Sequence, residues 1–137
     1  MITLQNYRNE AFVGFCNEKL KEYTQNYRGI ETALLATPDG FEIAVYSHKE
    51  TQADKLAAVG SSLFALGSSL VAEFNLKDCK SIILDSERGK VYISSIANGN
   101  NAVVLMVQSS DQATLGNIIH GAKRLNDDIA GKLNSIG

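Results

Sequence analysis

The chain is poor in the residues that carry chemistry. It holds two histidines and two cysteines in 137 residues, and no group of Cys, His and Asp has the spacing of a metal site or a redox pair. Cys16 and Cys79 each fall among apolar neighbours, where a free thiol acts as a small hydrophobe. His48 lies in a polar stretch and His120 beside Gly121, settings in which a lone histidine is structural or solvated. The serine pairs have no glycine elbow and no nearby base, so a nucleophilic triad has no local sign. An excess of positive charge is also missing. With 13 Lys+Arg against 15 Asp+Glu, the net charge is -2, and the longest basic run is Lys123-Arg124. A nucleic-acid partner needs a basic surface to displace phosphate counterions, so none is expected.

Two near-matches to functional motifs fail on physical grounds. The stretch Gly116–Lys123 reads GNIIHGAK, but a phosphate loop requires lysine directly after its second glycine, and Ala122 intervenes. Asp127 and Asp128 are adjacent, and on a helix neighbouring side chains point about 100° apart, too far to share one acid–base site. No catalytic constellation is present, and the expectation is a protein without enzymatic activity, cofactor or metal. Arg8, Glu10, Glu18 and Lys19 interrupt the first 20 residues, so they do not read as a secretory signal, and a cytoplasmic location is expected.

The remaining composition, 45% apolar and 20% charged, is that of a folded domain, and the length suits one domain spanning residues 1–137. A first helix is expected from about Arg8 to Tyr27, with Phe12, Phe15, Cys16, Leu20 and Tyr23 on one face. Ile30–Thr37, the turn Pro38-Asp39-Gly40 and the alternating run from Phe41 to Val45 read as a hairpin. A long helix follows from about Thr51 to Phe74. Its uncharged run Leu56–Ala72 approaches the length of about 17 residues that crosses a membrane, but it includes four serines and two glycines. It reads as a helix buried in protein, not inserted in lipid. One stripe of it, Ala53, Leu56, Ala57, Gly60, Leu63, Phe64, Gly67, Leu70, Val71 and Phe74, is expected to face the core. The other face carries Ala58, Ser61, Ser62, Ala65, Ser68, Ser69 and Ala72 with Val59 and Leu66, small residues that let another helix come close.

Cys79–Ser86 and Val91–Ile96 are expected strands joined by Glu87-Arg88-Gly89-Lys90. Ala97-Asn98-Gly99-Asn100 turns the chain into Asn101–Gln108. That strand is apolar without alternation from Ala102 to Val107, as a central strand covered on both faces would be. Ser109-Ser110-Asp111 is expected to cap a last helix bearing Leu115, Ile119, Ala122, Ile129 and Leu133. The fold class is therefore α/β (α+β) in the order αββαβββα, with residues 1–28 and 109–137 flanking a sheet and central helix at 29–108.

Several features in sequence resemble the Roadblock/LC7 family over about Gly29 to Leu133. Pro38-Asp39-Gly40 followed by Ala44 is similar to the family's Asp-Gly hairpin and its small second-strand residue. Asp54-Lys55-Leu56-Ala57-Ala58 resembles the opening of its central helix. Glu87-Arg88-Gly89 resembles the turn between its third and fourth strands, and Ala113-Thr114-Leu115-Gly116 the start of its last helix. The complete C-terminal helix looks like the prokaryotic branch.

The resemblance implies a five-stranded antiparallel sheet with the long central helix on one face and the two terminal helices on the other. It implies a homodimer formed by pairing third strands and central helices, which would use Val59, Ser62, Leu66, Ser69, Ser81, Ile82, Ile83 and Leu84. It also implies a non-enzymatic regulator or scaffold that binds a Ras-like small GTPase, with Ala65 and Glu73, beside Ser62 and Ser69, toward the partner. Arg88 has the look of an arginine finger but reads better as a solvated hairpin residue. The strand Cys79–Ser86 independently favours a symmetry mate, since an apolar edge such as Ile82-Ile83-Leu84 is a hazard unless covered. Two readings compete with this one. The small residues serve equally for tight packing within one chain, and folds of this size also include small-molecule-sensing α/β modules with a ligand cavity between sheet and helix.

Overall fold

The computed structural model describes residues 7–98 and 101–133. Among these, the elements run α1 (Glu10–Asn26), β1 (Ile30–Ala36), β2 (Glu42–Ser47), α2 (Ala53–Glu73), β3 (Ser81–Ser86), β4 (Gly89–Asn98), β5 (Asn101–Ser110) and α3 (Leu115–Leu133). All strand pairs are antiparallel in one sheet of order β2-β1-β5-β4-β3. The expected αββαβββα order and sheet are found. The turn expected at Gly99-Asn100 lies outside the described residues.

Local chemistry sets the boundaries. Asn9 opens α1 by accepting hydrogen bonds on its side-chain oxygen from the amides of Ala11 and Phe12, which satisfies two otherwise unpaired donors. At the β1–β2 turn Gly40 has φ of 99°, a conformation that a side chain would strain. The start of α3 differs from expectation. Ser109 and Ser110 still belong to β5, and the cap is Thr114, whose Oγ1 accepts from the Asn117 amide at 3.1 Å. The ladder from Gly89↔Ser110 to Asn98↔Asn101 carries β5 past the serines before the chain can turn.

The sheet separates two apolar layers. On one face α1 and α3 cover the larger core, in which Phe12, Cys16, Leu20, Val103, Leu105, Val107, Ile129 and Leu133 are buried. Tyr23 of α1 donates its hydroxyl to the Ile118 carbonyl of α3 at 2.9 Å, and its ring lies where a side chain on Gly121 would stand. The second glycine of GNIIHGAK thus admits an aromatic ring between two helices. Burial pushes the Cys16 thiol up to about 12, against a smaller opposing effect of Lys132, so it stays protonated and unreactive in the folded chain. The other face holds a smaller core of Leu34, Ala36, Ala57, Ile93, Val104 and Met106 beneath α2. Alternate residues of β5 enter the two cores, as expected for a central strand.

α2 ends in a Schellman motif, in which the Leu76 amide bonds the Val71 carbonyl and the Asn75 amide bonds the Ala72 carbonyl. Asn75 takes φ of 57° and Lys77 φ of 69°. Asparagine tolerates this left-handed region, whereas lysine there costs roughly 1–2 kcal/mol. Lys77→Gly should relieve that strain, partly offset by the greater freedom of glycine in the unfolded chain. The expected net gain is about 0.5–1 kcal/mol, read as a melting temperature higher by roughly 2–4 °C. A variant that melts at or below the wild-type temperature would show that Lys77 makes contacts worth more than its strain.

Candidate interaction surface on the central helix

The side of α2 that meets the sheet is built from small residues. Ala57, Gly60 and Ser61 are its buried positions. A Cβ on Gly60 would strike the Met106 side chain, and one on Gly67 would strike Ile82, so the helix lies almost directly on β5 and β3. Ser61, which the sequence reading set on the outer face, is buried and donates to the Thr37 carbonyl at 3.0 Å. The β1–β2 turn packs against the same end, with a Cβ at Gly40 reaching the Ala58 Cα at 3.3 Å.

That approach rotates the large side chains outward. Leu56, Leu70 and Phe74 were expected in the core, yet they are 42%, 61% and 67% exposed, beside Val59 at 58% and Leu66 at 68%. A long apolar helix buried within the chain is thus realised on one side only, although α2 has the length and composition of a membrane span. Leu56, Val59, Leu63, Leu66 and Leu70 follow steps of three, four, three and four residues, which places them in one row along a helix. Glu73 and the small residues Ala58, Ser62, Ala65 and Ser69 form the outermost face, all exposed, and Ser69 turns its hydroxyl back to the Ala65 carbonyl at 3.2 Å.

β3 is an edge of the sheet, paired only with β4. Ile82 packs toward the smaller core beneath α2, and Leu84, exposed, lines the groove beside the helix. Ile83 and Ser81 alternate to the opposite side of the sheet. Arg88 is exposed in the two-residue turn between β3 and β4. Of the anticipated interface residues, the structure brings Val59 and Leu66 into the leucine row and Ile82 and Leu84 beside it. Ser62 and Ser69 stand on the outer face with Ala65 and Glu73. Leu63, expected toward the core, is half-buried against it, whereas Leu56 and Leu70 were missed as surface residues, although their spacing with Val59 and Leu66 was available as a signal.

Between the row and the sheet lies an open groove of about 530 Å³, floored by Leu34, Leu84, Val91, Ile93 and Met106. At its polar end, beside Lys49, Glu50, Thr51, Gln52 and Lys55, Thr32 and Gln108 are bonded within the chain. Gln108 donates to Glu31 at 2.8 Å and accepts from Thr32 at 3.2 Å, and Thr32 shares a 2.7 Å bond with Ser47. The described residues contain no group of three His, Cys, Asp or Glu that could hold a metal ion. Asp127 and Asp128 are exposed, and Asp128 pairs with Lys19 of α1 at 3.6 Å.

Solved structures share this architecture. The gliding protein MglB from Thermus thermophilus is 20% identical with a TM-score of 0.82, over 93% of this chain and 94% of that one. MglB from Myxococcus xanthus is 17% identical with a TM-score of 0.83, over 94% of each chain. A further structure, described as MglB with tetrameric arrangement, is 20% identical with a TM-score of 0.82, over 94% and 95% of the two chains. No curated protein sequence matches the chain significantly. The family model described as Roadblock/LC7 domain matches residues 17–109, from within α1 to the end of β5, and the chain therefore belongs to the Roadblock/LC7 family.

Proposed function

We propose that the protein is a homodimeric, non-enzymatic regulator or scaffold that binds a Ras-like small GTPase. The observation that carries the reading is the row Leu56-Val59-Leu63-Leu66-Leu70, largely exposed, lying beside an open β3 edge. Each leucine taken from water contributes roughly 1.5–3 kcal/mol, and an apolar edge strand left open invites uncontrolled pairing. A two-fold axis beside β3 covers both at once, pairing strand with strand and helix with helix. Self-association also agrees with the tetrameric arrangement described for one MglB structure.

Once the rows face each other, the outer faces of the two α2 helices form one continuous platform carrying Ser62, Ala65, Ser69 and Glu73. Family membership makes a small Ras-like GTPase the partner this platform would receive. The competing sensor reading needs a cavity with convergent polar groups ready for a ligand. The groove is mostly apolar, and Gln108 at its end is already bonded to Thr32 and to Glu31.

The test is binding and turnover with small Ras-like GTPases from the organism that makes this chain, each loaded with GDP or a non-hydrolysable GTP analogue. Nucleotide-dependent binding to the purified protein is expected, abolished by Ala65→Arg on the platform. Failure of every such GTPase to bind in either nucleotide state would overturn the GTPase reading.

A further inference from the structure

We infer that the groove beneath the leucine row is the socket for the α2 C-terminal end of a second copy, with Phe74 as the inserted side chain. The inference rests on the homodimer proposed above and adds a defined, reciprocal contact to it.

α2 runs diagonally across its sheet. Its N-terminal half sits over the β1–β2 turn through Ser61 and Ala58. Its C-terminal half sits over the beginning of β3, where Gly67 meets Ile82 and approaches Cys79. This diagonal leaves bare the sheet face at the other end of β3, which is the groove floored by Leu84, Val91, Ile93 and Met106 and walled by Leu56, Val59 and Leu63.

A two-fold axis that pairs β3 antiparallel with its copy sets the beginning of the copy's strand beside the end of this one. The C-terminal half of the copy's α2 rides above the beginning of its own β3, so it arrives over the bare floor. The row gives the same register. Antiparallel pairing about Leu63 opposes Leu56 with Leu70 and carries residue 74 of the copy past the N-terminal end of α2, where Gln52 and Leu56 border the groove. Phe74 is 67% exposed and follows directly on the leucine row. The Schellman hydrogen bonds fix the chain immediately after it, so the ring is presented from a fixed base instead of a frayed end. A large side chain left mostly exposed by its own chain and an open apolar groove are thus brought together twice by one axis.

The chain contains no tryptophan, so Phe74→Trp supplies a single fluorescent reporter at this position. At concentrations where the variant is dimeric by light scattering, its emission should be blue-shifted and shielded from acrylamide. Both properties should be lost on dilution to monomer, or when Leu66→Glu is added. Phe74→Ala should weaken dimerisation by about 30-fold, as expected for a central aromatic anchor. A dimeric Phe74→Trp protein whose tryptophan is freely quenched would overturn the socket while leaving the dimer intact. A Phe74→Ala dimer as tight as the wild type would do the same. A wild-type chain that stays monomeric at every concentration would remove the dimer reading and the socket together.

Discussion

Leu66→Glu is expected to yield a folded 14.8 kDa monomer where the proposed wild-type dimer has twice that mass in solution. In the isolated chain Leu66 is 68% exposed and belongs to neither core, and glutamate is nearly as good a helix former as leucine. The substitution therefore costs the monomer almost nothing. Across paired rows, however, each protomer would place a carboxylate among Leu56, Val59 and Leu63 of the other. A charge moved into such surroundings without a partner costs several kcal/mol, and the dimer would hold two. The dissociation constant should rise by more than about 1,000-fold. Light scattering over a dilution series gives the mass, and circular dichroism verifies that the helices are intact. Undiminished dimerisation would mean that α2 pairs through another face, or not at all.

The second large effect concerns the monomer itself. Gly89→Ala should destabilise the fold by about 3 kcal/mol, equivalent to roughly 10 °C in melting temperature. A Cβ at this position would fall on the carbonyl oxygen of Ser109. Relief by a rotamer change is impossible, because the obstructing atom is backbone. Nor can the backbone retreat easily, since Ser109 is held between Lys90 of β4 and Ile30 of β1. Arg88→Ala, one residue earlier in the exposed turn, should stay within about 0.5 kcal/mol of wild type. Were the two variants to melt together, the close approach of β4 to β5 would be a much softer contact than its geometry indicates.

Periodicity made the order of elements and the two-sided burial of β5 legible, because charged residues mark the outer face of α1 and turn residues separate the strands. The rotation of α2 about its own axis was not legible. A hydrophobic stripe points inward when the rest of the helix is charged, but here both sides are apolar or small. Burial preference for large side chains then assigned Leu56, Leu70 and Phe74 to the core. Close seating at Gly60 and Gly67 reverses the assignment, since a helix resting on a sheet through glycines has no room beneath it for leucine. The cap of α3 was misplaced for a different reason. Ser109 and Ser110 have the right side chains for capping, but strand pairing to β4 claimed their backbone first, and Thr114 took the role three residues before Asn117. The apolar run of β3 was legible as an open edge strand, whereas the groove depends on the diagonal of α2 and has no signature in one segment.

In the proposed dimer the exposed leucine row would also tie the protein's persistence to its abundance. Association would stabilise the native chain by mass action, so apparent stability would rise with total concentration. Chains too dilute to pair would keep a bare helix row and an open strand edge, the surfaces that chaperones and proteases survey. In the proposed dimer an unpaired copy would thus be open to removal through the same residues that pairing covers.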